Sequence, residues 1–299
     1  MARRDVAILG CGYVGLELGR QLDESRDVVG VRRSPDGIGA IESAGFEGIR
    51  ADLTEPAHRA ELPDADVVVY AASASGGTDA RMIYTAALEG VIRAYGGRAE
   101  PPERFVYTSS TGVYGDHDGD WVDEETTIEP ASERQGILLE AERLALETTA
   151  EYGIDGTVTR FGGLYGPERY RLSRYLEGPV TEGWLNLVHR DDAAGAVAHL
   201  IERGAGGDEV LNVVDTEPLD KWAFADWLAE TCGTDPPPKQ TVAERLEGDL
   251  SPAAAHRIRA NKRCSSERLE SLGYEFAYPT AREGYRPAIE AYRAEAAGE

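Results

Sequence analysis

The chain is poor in lysine and cysteine and has no long apolar run. Its cysteines are an odd number and lie far apart, which argues against a disulfide framework and against a zinc site, so we expect no bound metal. No apolar run approaches the roughly 20 residues of a membrane span, and no secretory signal fits the N-terminus. We therefore expect a cytoplasmic protein without a membrane partner. The scarce residues are Lys221, Lys239 and Lys262, and Cys11, Cys232 and Cys264.

Charge of one sign dominates the composition. The 299 residues include 54 acidic and 31 basic side chains, for a net charge of −23. Such an excess of carboxylates repels itself at low ionic strength, and high salt screens that repulsion. The balance indicates a halophilic cytoplasm, with an ordinary acidic protein as the alternative. No basic face is visible, so a nucleic-acid partner is disfavoured.

The pattern of apolar residues predicts an α/β fold. Short apolar runs alternate with helical patterns, which is typical of βαβ units and a parallel sheet. We therefore predict a Rossmann doubly wound parallel sheet. The predicted strands are Val6–Leu9, Val28–Val31, 48–51, Val67–Ala71, Phe105–Thr108 and Thr157–Phe161, and the predicted helices between them are 14–24, 80–95 and 133–150.

The domain prediction places the Rossmann domain at residues 1–165, with 187–215 returning to it. Residues 191–203 are predicted to form a helix and 210–214 a strand that rejoins the sheet. Residues 166–299 are predicted to be mainly a smaller substrate-binding region, and the part of it after the proline run at 235–238 is predicted to consist of short helices and turns. Residues 116–130, which are acidic, are predicted to be a surface loop after the fifth strand.

A glycine motif follows the first predicted strand and opens the first predicted helix. In Gly-x-Gly-x-x-Gly loops the glycines permit a tight turn, close approach of the backbone to a pyrophosphate, and close helix–strand packing. The helix N-terminus then offers N–H groups and a partial positive charge to the phosphates. We predict a dinucleotide site at Gly10, Cys11, Gly12, Tyr13, Val14 and Gly15.

Two adjacent arginines end the second predicted strand. An NAD enzyme usually carries a carboxylate there for the ribose hydroxyls, whereas Arg32 and Arg33 suit a 2′-phosphate. The predicted cofactor is therefore NADP, with NAD as the alternative. Asp52 and Leu53 are expected beside the adenine, and the pocket is expected to be completed by Ala71, Ala72 and Ser73.

These features resemble those of an extended or atypical short-chain dehydrogenase/reductase of the NAD(P)-dependent epimerase/dehydratase family. The resemblance covers nearly the whole chain. It rests on the glycine motif, Asp52-Leu53, the segments 106–115 and 160–167, His189-Arg190-Asp191-Asp192, and residues 269–284. The C-terminal run is similar to the branch of sugar-nucleotide epimerase-like proteins.

The resemblance implies catalysis by a serine, a tyrosine and a lysine four residues after the tyrosine. Ser110 matches the serine, but no tyrosine in the chain has lysine four residues later. Aligning Glu142 with the family's glutamate puts Arg134 at the tyrosine position and Leu138 at the lysine position. A substitute proton donor is then needed. The first candidate is Tyr114 and the second is Tyr165, and further candidates are His117, His189 and Glu133. For each of these residues a structural role is the stronger alternative.

The sequence leaves three functions open. The first is an oxidoreductase of the epimerase/dehydratase kind that acts on a small hydroxyl or carbonyl compound, nucleotide sugars among them, with a non-standard active site. The second is a non-catalytic NADP(H)-binding sensor or regulatory protein, and the third is a structural role. We favour the enzyme. A homodimer is one of the assemblies that the sequence leaves open.

Overall fold

The structure, a computed structural model, describes residues 4–23, 25–74 and 79–298. The strands in these residues are β1 (Arg4–Leu9), β2 (Val28–Arg32), β3 (Glu47–Arg50), β4 (Ala65–Tyr70), β5 (Arg104–Ser110), β6 (Trp121–Val122), β7 (Asp155–Phe161), β8 (Gly163–Tyr165), β9 (Val180–Thr181), β10 (Trp184–Leu185), β11 (Leu187–His189), β12 (Glu209–Val213), β13 (Leu219–Asp220), β14 (Lys239–Gln240) and β15 (Arg263–Cys264).

The α-helices in the same residues are α1 (Tyr13–Asp23), α2 (Pro35–Ser43), α3 (Pro56–Ala60), α4 (Leu88–Gly96), α5 (Glu133–Ala150), α6 (Leu172–Leu176), α7 (Arg190–Arg203), α8 (Lys221–Cys232), α9 (Val242–Leu246), α10 (Pro252–Arg259), α11 (Glu267–Ser271), α12 (Ala281–Gly284) and α13 (Arg286–Ala297). A π-helical turn at Met82–Ala87 precedes α4, and a 3₁₀ turn at Thr111–Tyr114 follows β5.

Seven strands form one mostly parallel sheet in the order β12-β7-β5-β4-β1-β2-β3. Val6 of β1 lies opposite Val28 on one side and Val67 on the other. The strand order therefore reverses beside β1, and ligands of open α/β sheets bind at such a switch point. Strands such as β4 are buried almost throughout, as expected for a parallel sheet with both faces covered. The predicted doubly wound Rossmann fold is confirmed.

The observed elements differ from the predicted ones in three places. The stretch predicted as one helix over 80–95 contains the π-helical turn before α4. The segment after residue 238, predicted to hold short helices and turns, contains the 12-residue helix α13. The predicted loop 116–130 contains β6, which pairs with β15. This pairing joins segments that are far apart in the chain, so no local pattern indicates it.

The chain forms two compact units. Unit 1 comprises Met1–Val113, Glu133–Arg160 and Ala193–Leu211, and unit 2 comprises Tyr114–Ser132, Phe161–Asp192 and Asn212–Glu299. Each unit contains several separate segments, whereas the sequence predicts a main boundary after residue 165. That predicted boundary stays a prediction.

Unit 2 has an aromatic core. Tyr165, Phe224 and Tyr285 are almost fully buried in it, together with Leu228 and Ile289. Helix α8 supplies much of this core. It begins at the cap Asp220, whose side chain accepts a hydrogen bond from the N–H of Ala223, and ends at Gly233 in a left-handed conformation. Both ends are therefore specified by residues suited to those positions.

Candidate functional site

The turn after β1 requires glycine at its first position. Gly10 has φ +80°, and a Cβ there would lie 2.3 Å from Cα of Ala72. The N–H groups of Gly10 and Cys11 both donate to the carbonyl of Val31. A Cβ on Gly15 would lie 3.0 Å from the side chain of Ile8, so this glycine brings α1 close to β1. The loop therefore has the tight turn and the close helix–strand packing of a dinucleotide-binding loop.

A cavity of about 310 Å³ opens above this turn in unit 1. Its lining contains nine of the thirteen residues predicted to bind the cofactor: Gly10, Gly12, Arg32, Arg33, Asp52, Leu53, Ala71, Ala72 and Ser73. Val31, Ser34, Ala51 and Ile83 complete it. The other four, Cys11, Tyr13, Val14 and Gly15, do not line this cavity; Cys11 is fully buried, and burial raises the pKa of its thiol to about 12. The lining fits the adenosine half of a nicotinamide dinucleotide, although the individual cofactor contacts stay predictions.

Arginine side chains border this cavity. Nη1 of Arg32 donates to the carbonyl of Cys11 at 3.0 Å and lies 3.0 Å from the position that a Cβ on Gly12 would occupy. Arg33 lines this cavity and an adjoining one that also contains Arg50 and His58. Nε of Arg50 donates to the carbonyl of Arg33 at 3.1 Å. Sequence reasoning missed Arg50, which is opposite Arg32 in the β2–β3 pair.

Asp52 stands at the end of β3 with its carboxylate engaged locally. Its Oδ1 accepts hydrogen bonds from the N–H and the hydroxyl of Thr54 at 3.0 and 2.7 Å. Burial acts to raise the pKa of Asp52, but these hydrogen bonds and the nearby Arg33 and His58 outweigh burial and lower it. The group is therefore a carboxylate over the working pH range and can accept hydrogen bonds from a ligand.

Ser110 ends β5, and the 3₁₀ turn follows it. Its Oγ accepts the N–H of Gly112 at 3.1 Å, which leaves the hydroxyl hydrogen free to donate to a substrate oxygen. The side chain is only partly buried. This position suits the role implied by the resemblance, and that role stays a prediction.

Helix α5 carries the positions at which the resemblance implies tyrosine and lysine. Leu138, at the lysine position, is buried, and Arg134, at the tyrosine position, is exposed. The helix is fastened by Glu142, whose carboxylate accepts three contacts from Arg160 at 2.8, 3.0 and 3.2 Å and the hydroxyl of Ser109 at 2.5 Å. Glu142 is thus a structural anchor for α5.

The hydroxyl of Tyr114 is engaged in hydrogen bonds within unit 2. It lies 2.8 Å from the carbonyl of Asp123 and 2.9 Å from Oδ1 of Asn212. A phenol has one hydrogen, so it can donate to only one of these oxygens at a time. The side chain is also buried. These contacts favour a structural role, and the proton-donor role of Tyr114 stays a prediction.

Tyr165 lies in the core of unit 2. Its ring stacks on Tyr285 at 5.0 Å and meets His189 edge-on at 5.2 Å. Burial, with Asp215 and Asp192 adding to it, raises the pKa of Tyr165 far above its usual value. A Cβ on Gly284 would clash with its hydroxyl. This environment favours packing over proton donation, which for Tyr165 stays a prediction.

The His189–Asp192 segment is buried too. The side chain of His189 packs on Tyr278 with ring centroids 4.0 Å apart, and its Nδ1 accepts the N–H of Asp191. The carboxylate of Asp192 accepts the hydroxyl of Tyr274 and the N–H groups of Ala277 and Tyr278. This aspartate therefore ties the C-terminal segment to the start of α7.

A second cavity, of about 570 Å³, lies in unit 2 and is strongly basic. Five cationic side chains line it and no carboxylate does: Arg171, Arg174, Lys221, Arg245 and Arg257. None of the five forms an ion pair with another described residue. Its remaining wall is largely apolar, with Tyr175, Val180, Leu185 and Ile258 among others. Sequence reasoning missed this basic cavity, since its cations come from four separate segments.

Metal-binding clusters and membrane-spanning helices are both absent from the residues that the structure describes. His, Cys, Asp and Glu side chains nowhere come together there in a group of three or more that could hold a metal ion. None of the helices there combines the length and the apolar character that a membrane crossing requires.

The fold and the cavity of unit 1 thus define a Rossmann protein with a dinucleotide-type pocket. Residues 6–213 match the model of the NAD dependent epimerase/dehydratase family, and the chain belongs to this family. Membership supports an enzyme of the NAD-dependent oxidoreductase type.

Relatives extend the likeness over the whole chain. It is 27% identical to protein YeeZ of Escherichia coli strain K12, over 92% of this chain and 97% of that protein. A solved structure from Methylobacillus flagellatus is 31% identical with a TM-score of 0.75, over 97% of this chain and 99% of the other. UDP-glucuronic acid 4-epimerase from Bacillus cereus, solved with UDP-glucuronic acid and NAD, shares the fold at 18% identity and a TM-score of 0.76, over 98% and 100% of the two chains.

Proposed function

We propose that this protein is an NADP-dependent oxidoreductase of the epimerase/dehydratase kind that acts on a sugar nucleotide. The basic cavity of unit 2 carries this proposal. The chain as a whole is strongly acidic, with a net charge of −23, yet five cationic side chains line this one cavity without a carboxylate partner. Clustered like charges destabilise a fold unless an anion neutralises them, and a diphosphate offers several oxygens to guanidinium groups.

The backbone beside the cavity supports the same conclusion. Arg171, the residue immediately before α6, has φ +53°, a left-handed conformation that is costly for a residue other than glycine. Such conformations cluster where a side chain must face a ligand. The apolar part of the lining suits a nucleoside base or a sugar face. The likeness to the Bacillus cereus epimerase, whose ligand is UDP-glucuronic acid, agrees with this choice.

The preference for NADP rests on Arg32, Arg33 and Arg50. Arg32 lies over the glycine loop, while Arg33 and Arg50 line the adjoining cavity at the ends of β2 and β3. A 2′-phosphate placed there would receive charge-assisted hydrogen bonds, each contributing about 1.5–3 kcal/mol. NAD, which lacks that phosphate, would receive none of them.

Calorimetric titration in molar KCl tests both parts of the proposal. UDP should bind unit 2, and Arg174→Ala or Arg257→Ala should weaken it by about 10- to 150-fold, which corresponds to 1.5–3 kcal/mol. Arg143→Ala, at an exposed position on α5, is the control and should leave Kd unchanged. NADP should bind more tightly than NAD, and the Arg32→Ala/Arg33→Ala variant should lose the preference. UDP that fails to bind, or equal affinities for the two cofactors, would overturn the corresponding part.

A non-catalytic NADP(H) sensor is the second candidate. The observation that favours it is Leu138, which fills the usual lysine position and is buried, so α5 offers no ammonium there. A panel of UDP-glucose, UDP-glucuronic acid and dTDP-glucose, with NADPH absorbance and chromatography of the sugar nucleotide, separates the two. Tight NADP(H) binding without turnover on the panel would favour the sensor.

A further inference from the structure

Lys262 is a buried lysine that the family's usual chemistry does not use. Its side chain is 7% exposed, and its Nζ donates to the carbonyl of Gly115 at 3.1 Å. That is its one hydrogen bond to the residues that the structure describes. An ammonium has three N–H donors, so two are left without a protein acceptor there. Leaving donors of a buried charge unsatisfied is costly, which points to an occupant that accepts them.

The backbone around Lys262 is held in place on both sides. Residues 263 and 264 form β15, which pairs with β6. The amide side chain of Asn186 donates to the carbonyl of Lys262 at 3.0 Å and accepts the N–H of Cys264 at 2.6 Å. The N–H of Asn261 donates to the carboxylate of Asp116 at 3.1 Å. Such support pre-organises a functional side chain.

Lys262 does not line the basic cavity of unit 2 itself, but it is linked to that cavity through Asn261 and Lys221. Lys221 lines that cavity, and a Cβ on Gly183 would lie 3.1 Å from both Nζ of Lys221 and Oδ1 of Asn261. Lys221 is therefore beside the residue that precedes Lys262. Burial lowers the pKa of Lys221, and the charges of Arg174 and Lys262 lower it further.

The charge state of Lys262 is set by a few identifiable groups. Burial lowers the pKa of its ammonium, while Cys264 and Asp116 oppose this, and the neighbouring cation is Lys221. A lysine with a lowered pKa has a larger neutral fraction near neutral pH, and the neutral amine can accept a proton. By contrast, Lys239 pairs with Asp226 at 2.6 Å in a partly exposed position.

We propose that Lys262 contacts the substrate bound in unit 2 and exchanges the proton of the hydroxyl group that is oxidised or reduced. This rests on the proposed function. In the oxidising direction the neutral amine takes the O–H proton and becomes an ammonium, the C=O bond forms, and the carbinol hydride leaves to the oxidised nicotinamide dinucleotide. In the reducing direction the ammonium returns the proton to the oxygen.

The scarcity of lysine makes a direct observation practicable. Protein labelled with ε-¹³C lysine should give three lysine ε-CH₂ signals, assigned with Lys221→Met, Lys239→Met and Lys262→Met. We expect the Lys262 signal to titrate below the usual pH range of a lysine side chain. UDP-glucose should move the signals of Lys221 and Lys262, whereas UDP alone should move mainly that of Lys221. The proposal would be overturned if UDP-glucose shifts the Lys221 signal and leaves the Lys262 signal unchanged.

Kinetics on the sugar-nucleotide panel supply the second test. Lys262→Met should lower kcat by about 10²- to 10⁴-fold with little change in KM, and the matched Lys239→Met variant should keep the wild-type rate. Lys262→Arg retains charge and donors but cannot release a proton, so it should not rescue kcat, whereas it would rescue a merely structural lysine. The kcat–pH profile of the wild type should show the pKa that NMR assigns to Lys262.

The outcomes separate this proposal from the proposed function. Turnover that Lys262→Met or Lys262→Arg retains would refute the role of Lys262 and leave the oxidoreductase intact. A Lys262 signal that responds to UDP-glucose, with no turnover on the panel, would keep the substrate contact and refute the redox function. If Lys262→Met fails to fold, the kinetics of Lys262→Arg and the NMR spectra of the wild type still decide whether Lys262 contacts the substrate and exchanges its proton.

Discussion

The buried ion pair of α5 offers a quantitative test of how unit 1 is held together. Glu142 and Arg160 have side chains only 5% and 6% exposed, and Ser109 adds a hydroxyl to the same carboxylate. Removing one partner of a buried pair costs about 3–5 kcal/mol, because the other charge stays buried and uncompensated. We therefore expect Arg160→Met to lower the free energy of unfolding by that amount, and Glu142→Leu to cost a similar amount.

The double variant is the informative measurement. Glu142→Leu/Arg160→Met removes both charges and leaves the Ser109 hydroxyl without its acceptor, a cost of about 1–3 kcal/mol. The double variant should be more stable than either single variant. Adding Ser109→Ala should recover part of the stability that the unpaired Ser109 hydroxyl still costs. The surface pair Arg143–Glu147 on the same helix, with both side chains more than 60% exposed, is the control; Arg143→Met should cost under about 0.5 kcal/mol.

Urea unfolding followed by far-UV circular dichroism is the assay. All four tryptophans lie in unit 2, so tryptophan fluorescence reports that unit alone and shows whether the two units unfold together. Two results would contradict the idea that a desolvated charge dominates this site. One is a double variant whose loss in unfolding free energy equals the sum of the two single losses, and the other is a loss below about 1 kcal/mol for Arg160→Met.

Three further predictions concern pH, salt and catalysis. Burial, with Glu217 and Asp192 adding to it, raises the pKa of Asp215 well above its usual value. The stabilisation from protonated Asp215 is complete below the unfolded-state pKa near 3.9. As pH rises from there to the folded-state pKa, the free energy of unfolding falls by at most about 1.4 kcal/mol per pH unit. Asp215→Asn should therefore raise the melting temperature more at pH 7 than at pH 4; the same gain at both values would count against this. The melting temperature should also rise steeply between about 0.1 and 2 M KCl if the charge of −23 is a halophilic adaptation, and a flat series would point to another cause. With a substrate from the panel in hand, Ser110→Ala should lower kcat markedly; if Tyr165→Phe proved as damaging, the packing role assigned to that ring would be wrong.

Much of unit 1 could be predicted because its signals are local. The alternation of apolar strands and helical patterns predicted the sheet, and Gly10, Gly12 and Gly15 predicted the turn at the end of β1 from their spacing alone. Arg32 and Arg33 were found because they follow a strand at a fixed distance from those glycines. In each case the physical cause, a steric limit or a side-chain period, acts over a few residues.

The roles of Tyr114 and Tyr165 depended on neighbours distant in the chain. Both follow recognisable motifs, so the sequence placed them near the expected pocket. Only the fold brings Asn212 to the hydroxyl of Tyr114 and the ring of Tyr285 onto Tyr165. Burial and hydrogen bonding decide whether a phenol is available, and neither can be obtained from its local sequence.

By itself, the sequence determined the α/β class, the glycine loop and the absence of a Tyr-x-x-x-Lys pair, because each depends on residue type and spacing along the chain. The tertiary structure alone gathered five cations from residues 171–257 around one cavity. It likewise placed Lys262 on the carbonyl of Gly115, 147 positions away. The scarcity of lysine was visible from the start, but the burial that lowers the pKa of Lys262 arises only when distant segments pack together.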